Sequence, residues 1–287
     1  MKKIFVMMAA AVLLTACEKV VIDGLPVDDG GKNVRLHFVP TNSDTTRGTV
    51  VIGDYFSRLA VQMFDQDGNK VFAQSKTQTV DDDDFGTLNV GLTAGTYTVV
   101  AVGHSSPVTP TIKSMELVQF TAKDGVKNTD TFCHYGQVVI DEDGGTHELK
   151  MNRVTAMITF TFTDETMPDN YAGLKIDYTG GSANFDPSTS EGCTKSNQSE
   201  LRGKSQTYYV FTFPYQSAEG MLKITLNALD SDKNVLTTKV LTEVPVTRNR
   251  ITHCSGPLFG DGDYDIRQTA FGITVNPDWE GAYYYYF

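Results

Sequence analysis

Five histidines, at positions 37, 104, 134, 147 and 253, and four cysteines, at 17, 133, 193 and 254, are the side chains of this 287-residue chain best suited to bind a metal or to work as nucleophile and base. Cys133-His134 and His253-Cys254 each set a thiol beside an imidazole, the donor types of a zinc site. Both pairs lie in runs that read as strands, where adjacent side chains point to opposite faces, so each pair offers one ligand to one site. Buried free thiols or a Cys133 to Cys254 bridge are expected instead, and no metal. The Asp-rich turns that begin at Asp65 and Asp230 lack the Gly and Glu that a calcium loop places at positions 6 and 12. The run Asp81 to Asp84 reads as a solvated loop. HExxH, GxSxG, Walker A and dinucleotide fingerprints are all absent. The 35 acidic residues offer many carboxylate pairs, but nothing in their spacing selects one for glycoside hydrolysis. The residues therefore point to no catalytic group and no cofactor.

The clearest chemical signal sits at the start of the chain. Lys2 and Lys3 form a positive region, Ile4 to Leu14 an apolar one, and small residues lead to a cysteine, as in a secretory signal peptide. Leu14-Thr15-Ala16-Cys17 resembles the lipobox of bacterial lipoproteins. Residues 1–16 are then the signal peptide and Cys17 the lipidated new terminus, several acyl chains giving a stable membrane anchor. The apolar stretch is shorter than the roughly 20 residues of a spanning helix, and no later one reaches that length. A net charge of −11 and a pI near 4.8 leave no basic stripe for a phosphate backbone, which excludes nucleic acid as a partner.

The elements that would carry these residues are strands. After a polar, Gly-containing tether over 17–33, Val34 to Val39, Leu59 to Phe64 and Leu88 to Leu92 alternate with period two. Thr96 to Val102 is a β-branched run after the Ala94-Gly95 turn. His147 to Met151 and Val154 to Phe162 read as strands meeting at Asn152-Arg153, which places a domain boundary there. Further strands are expected at Leu174 to Tyr178, Thr207 to Phe213, Met221 to Leu229, Val235 to Leu241, Ile251 to Phe259 and Phe271 to Val275. The pattern is all-β, with two tandem β-sandwich domains over 34–152 and 153–287. The echo between Val61 to Asn69 (VQMFDQDGN) and Leu226 to Asn234 (LNALDSDKN) suggests a duplication, or else two unrelated polar hairpin turns.

Two features suit assembly better than catalysis. Ala282 to Phe287 (AYYYYF) is short, uncharged and β-prone, fit to add to another molecule's sheet edge or to pair within its own domain. Thr45-Thr46-Arg47-Gly48 is a polar turn after the first strand where an arginine-specific protease could cut. Trp279 and the tyrosines could stack on sugar rings, although packing against the core is the commoner use of such residues in a β-rich chain.

These features together resemble the fimbrillins and fimbrillin-associated anchor proteins of type V pili of Gram-negative anaerobes. The resemblance is carried by the lipobox ending at Cys17, by Thr46-Arg47 after the first strand, and by Leu59 to Asp65. It is carried further by Leu149 to Ala156 (LKMNRVTA), by Val246 to Thr252 (VTRNRIT) running into Ser255 to Gly260 (SGPLFG), and by Val275 to Trp279 (VNPDW). It implies transthyretin-like sandwiches, export as an outer-membrane lipoprotein to the cell surface or fimbrium, and a role as anchor, stalk or tip subunit of an adhesive pilus. The partners it implies are other fimbrial subunits, the outer membrane through the Cys17 lipid, and a host or bacterial surface ligand. In a stalk subunit, cleavage between Arg47 and Gly48 would remove the strand bearing Val34, Leu36 and Phe38, and the segment bearing Trp279, Tyr283, Tyr285 and Phe287 would be the donor strand. An anchor would instead keep its lipid at Cys17. The alternative of a different class is a monomeric glycan-binding surface lipoprotein.

Overall fold

The computed structural model of the protein describes residues 31–41, 51–120, 128–215, 219–260, 279 and 282–287. Its first half contains β1 (Lys32–Pro40), β2 (Arg58–Phe64), β3 (Lys76–Thr79), β4 (Thr87–Leu92), β5 (Gly95–His104), β6 (Thr111–Ser114), β7 (Leu117–Gln119), β8 (Thr131–Ile140) and β9 (Gly145–Arg153). Its second half contains β10 (Ala156–Phe162), β11 (Gly173–Thr179), β12 (Gly181–Ser182), β13 (Asn184–Asp186), β14 (Glu191–Gly192), β15 (Gln198–Gly203), β16 (Thr207–Pro214), β17 (Glu219–Leu229), β18 (Val235–Thr247), β19 (Ile251–Gly256) and β20 (Ala282–Tyr286). Among the described residues the one helical element is a 3-10 turn at Ile52–Asp54, and no helix is long and apolar enough to cross a membrane. The expected strand at Phe271 to Val275 lies outside the described residues.

The alternating runs form strands because one face of each is buried. In β1, Val34, Leu36 and Phe38 point inward and Asn33, Arg35 and His37 point away, the period-two pattern that their residue types announce. The first half runs β3-β2-β5-β8-β9-β1-β4 and folds into two facing layers around Leu36, Phe38, Val61, Met63, Val99, Phe132 and Met151. The second half pairs β15-β11-β17-β18 with β12-β16-β10-β19-β20 around Ile158, Phe160, Leu174, Ile176, Val210, Ile224 and Leu226.

The two halves repeat one wiring. Strands β1, β2, β3, β4, β5, β8 and β9 follow the same chain order as β10, β11, β15, β16, β17, β18 and β19 and take the same neighbours at every link but one: β8 pairs with β9, whereas β18 and β19 belong to separate sheets. In both, the first strand runs parallel to the last: β1 along β9 and β10 along β19. β20 has no counterpart in the first half.

The sequence echo is not part of that repeat. Asp65 Oδ1 accepts the backbone N–H groups of Asp67 and Asn69, and Asp230 Oδ1 accepts those of Asp232 and Asn234, so the two turns are the same local structure. One follows β2 and the other follows β17, which are not equivalent strands. The echo records shared turn chemistry, and the repetition lies in topology alone.

β2 and β5 depart from simple alternation. Leu59 to Phe64 and Val99 to Val102 are buried on both faces. One face meets the first-half core, and the other packs Ala60, Phe64, Val100 and Val102 against Ile112, Val118, Phe185 and Phe213. The covering layer is the small sheet β14-β13-β7-β6, in which β7 and β13 pair across the halves.

Candidate functional site

Three groups of residues follow from the sequence: the first strand, the region around Arg47, and the segment from Trp279 to Phe287. Cys17, Arg47 and Gly48 lie outside the described residues. The first strand is a central element. β1 sits between β9, parallel in the register Val34↔Gly145 to Pro40↔Met151, and β4, antiparallel from Lys32↔Leu92 to His37↔Thr87. Val34, Leu36 and Phe38 are almost wholly buried, and each contributes roughly 1.5–3 kcal/mol of burial. Beyond the strand, Thr41 donates through both its N–H and its hydroxyl to the Met151 carbonyl of β9, which fixes the chain as it leaves β1.

The Tyr-rich segment lies along its own chain. β20 runs parallel to β19 in the register Ile251↔Ala282 to Ser255↔Tyr286, and the Phe287 N–H donates to the Ser255 carbonyl at 2.8 Å. Tyr285 packs against the second-half core and its hydroxyl donates to the Thr242 carbonyl, while Phe287 enters that core edge-on to Phe162, with ring centroids 6.4 Å apart. Tyr283 pairs through its backbone with Thr252. Tyr284 stacks on His253 at 4.8 Å between centroids. Gly256 makes the seat possible: a Cβ there would overlap the Phe287 carbonyl.

Trp279 is not part of this strand, and it is not exposed. Its side chain is 8% accessible and covers Phe211 and Ile251 on the outer face of β16 and β19. The Arg153 guanidinium stacks over the Trp279 ring at 3.9 Å from the centroid and over the Phe132 ring at 4.6 Å. Arg153 Nε donates to both carboxylate oxygens of Asp130, at 2.9 and 3.0 Å, and Nη1 donates to Asn249 Oδ1 at 3.1 Å. Thr155 Oγ1 completes the ring of contacts by donating to Asp130 Oδ1. Burial pushes the Asp130 carboxyl above its ordinary range, and the Arg153 and Thr155 hydrogen bonds oppose that only in part. Asn249 sits in the β18–β19 turn at φ 58°, a left-handed conformation that Asn tolerates, and its N–H donates to the Thr155 carbonyl.

Three of the sequence motifs thus converge on one junction: Arg153 from LKMNRVTA, Asn249 from VTRNRIT and Trp279 from VNPDW. Asp130 and Phe132 complete it and carry no local signal, since β8 reads as an ordinary strand. The one available hint is that a lone Trp near a chain end needs a seat. As a sugar platform Trp279 is ruled out, because its ring is already covered by Arg153.

Among the described residues, Cys133, Cys193 and Cys254 are free thiols, and the Cys133 to Cys254 bridge does not form. Cys133 lies in the layer between the halves and Cys254 in the second-half core, each held by its own strand. Burial drives both thiol pKa values far above the ordinary range. His134 and His253 occupy the opposite faces of their strands, as the alternation requires.

The model of the family of fimbrillin-A associated anchor proteins Mfa1 and Mfa2 matches residues 25–282. Among solved structures, a candidate adhesin from Bacteroides ovatus is 14% identical with TM-score 0.49, over 74% of this chain and 82% of that one. The fimbrial anchor protein Mfa2 from Porphyromonas gingivalis is 15% identical with TM-score 0.43, over 74% and 83%. The tip fimbrial protein Mfa3 from the same organism, with a C-terminal truncation, is 10% identical with TM-score 0.35, over 73% and 81%. No curated protein matches.

Proposed function

Because the chain belongs to the family of fimbrillin-A associated anchor proteins Mfa1 and Mfa2, we propose that it is a structural subunit of an adhesive fimbrium and, within the fimbrium, the lipid-anchored base. The family is a structural, fimbrial one, and its members assemble with other fimbrial subunits at the cell surface. The observation that carries the anchor reading is the seating of the last strand. β20 is paired along β19 with Phe287 in the core, so this chain holds in cis the segment that a stalk subunit would donate to a neighbour. The first strand likewise fills its own groove between β4 and β9. Lipid on Cys17 would fix the protein in the outer membrane, and the residues between Cys17 and the start of β1 at Lys32 would tether the first sandwich above it. The sandwiches themselves would span about 34–152 and 153–287; the repeated wiring supports two units, with β1 beginning at Lys32 and β9 running on to Arg153.

The test is the intact mass and N-terminal identity of the protein taken from outer membranes of its native host. An acylated chain that begins at Cys17 and co-purifies with fimbriae agrees with the anchor. A chain that begins at Gly48 overturns it in favour of a stalk or tip subunit, with Arg47 as the cleaved residue and β1 as the removed strand.

A further inference from the structure

The outer face of the sheet β16-β10-β19-β20 is built largely from Tyr, Thr, Ser and His side chains. Its outward side chains line up in rows across the strands. Tyr209 is opposite Thr159, Thr159 opposite His253, and His253 opposite Tyr284. The next row runs Thr207, Thr161, Ser255 and Tyr286 in the same way. The row on the other side, Phe211, Met157 and Ile251, is the one that Trp279 covers. None of these outward positions holds a Lys, Arg, Asp or Glu, in a chain that is 21% charged with a net charge of −11. Tyr209 is 55% exposed and Tyr286 47%, and they stand at opposite margins of the face.

We propose that this face is a binding platform for an uncharged polysaccharide. The argument is one of complementarity. A pyranose ring has a C–H face that packs on aromatic rings and a rim of hydroxyls that both donate and accept, and the platform supplies both kinds of partner. Tyr209 and Tyr286 are the exposed aromatic members, and Tyr284 is held between them in its stack on His253. Thr159, Thr161, Thr207 and Ser255 supply hydroxyls, and His253, whose Nδ1 lies 2.7 Å from Thr159 Oγ1, is positioned by that contact. At a strand spacing of about 4.8 Å, the row from Tyr209 to Tyr284 spans roughly 14 Å, the reach of a short oligosaccharide. An acidic glycan finds no cation on these rows. A protein partner would draw on contiguous apolar surface, and the apolar row of this sheet is already closed by the chain's own Trp279. The platform rests on the same cis seating of β20 that supports the anchor reading, since β20 supplies Tyr284 and Tyr286, but it does not depend on lipid at Cys17.

The experiment is affinity electrophoresis of the soluble protein, lacking residues 1–17, through gels containing mannan, β-glucan, xyloglucan or starch, with alginate as the acidic control. The expected result is retardation by at least one neutral polysaccharide. The dissociation constant should weaken at least tenfold in Tyr209→Ala with Tyr286→Ala, and also in Thr161→Asp, which sets a charge in the second row without removing an aromatic. Each variant is first shown to melt at the parental temperature, and Thr161→Asp serves if the tyrosine pair fails that check. No retardation by any of the four, retardation by alginate alone, or retardation unchanged in the variants each overturns the proposal. So does a dimer in sedimentation that Tyr209→Ala dissolves, which would assign the face to a second copy. N-terminal processing is read separately, so either conclusion can fail without the other.

Discussion

The guanidinium of Arg153, at the end of β9, lies 3.9 Å from the centre of the Trp279 ring, and that contact joins the junction of the two halves to the segment that leads into β20. Arg153 is nearly inaccessible, and Asp130, Asn249 and Phe132 fix the plane of its guanidinium against the Trp279 ring. The junction thereby seats a distant part of the chain.

Arg153→Ala should destabilise the protein by about 3 kcal/mol, because it leaves the Asp130 carboxylate without its ionic partner in a largely buried place. Trp279 is the single tryptophan of the chain, so its fluorescence reports this seat alone. The emission maximum should shift to the red in Arg153→Ala before global unfolding. Arg153→Lys should show the same shift with a smaller loss of stability, since an ammonium cannot reproduce the planar stack. An unshifted spectrum in both variants would contradict the assigned role.

Gly256→Ala should unseat β20. The added methyl overlaps the Phe287 carbonyl, so the strand must lift or Phe287 must leave the core. Hydrogen exchange should show the amides of residues 283–287 losing protection while those of β10 keep theirs. Phe287→Ala should cost about 3 kcal/mol, the lower end for a buried phenylalanine.

His104 gives the stability a dependence on pH. Burial, and then the positive charge of Arg58 directly opposite on β2, hold its pKa down to about 4. The native state therefore binds less proton than the unfolded state between about pH 4 and pH 6.5, and stability drains away as pH falls through that window. Asp130 and Glu200, whose carboxyls are raised by burial, act in the opposite sense, so the informative measurement is a difference. Between pH 7 and pH 4 the wild type should lose up to about 3 kcal/mol more than His104→Leu in urea titrations. Parallel curves would remove His104 from the account.

Alkylation should sort the thiols. Cys193 is only half-buried, whereas Cys133 and Cys254 are enclosed and their thiolates strongly disfavoured. Iodoacetamide on the folded protein, read by peptide mass, should mark Cys193 first, with Cys133 and Cys254 following only in denaturant.

Strand after strand could be read from alternation, because the reading needs only one buried face: β1, β9 and β10 obey it residue by residue, and β4 from Leu88 onward. β2 and β5 could be placed but their second buried face could not, since Ala60, Val100 and Val102 are covered by Val118, Phe185 and Phe213 from far along the chain. The short strands β12, β13 and β14 went unseen for a related reason, being two or three residues long and made by their neighbours more than by their own propensities. The Asp65 and Asp230 turns show the converse limit. Their chemistry was plain, yet it said nothing about which strands correspond. For the candidate site, Arg153, Asn249 and Trp279 each stood in a motif already singled out, but their meeting depends on a fold that brings three distant turns together.

The parallel pairing of first and last strands also sets how each half responds to tension. In the first half, a pull on the start of β1 and the end of β9 acts along the ladder from Val34↔Gly145 to Pro40↔Met151. The second half offers β10 and β19 in the same geometry, from Met157↔Ile251 to Phe162↔Gly256. Strands loaded this way slide past one another, so the evenly spaced hydrogen bonds must give way together and cannot open one at a time like a zip. Each half is wired as a shear clamp in series with the other, a geometry that resists being drawn out end to end.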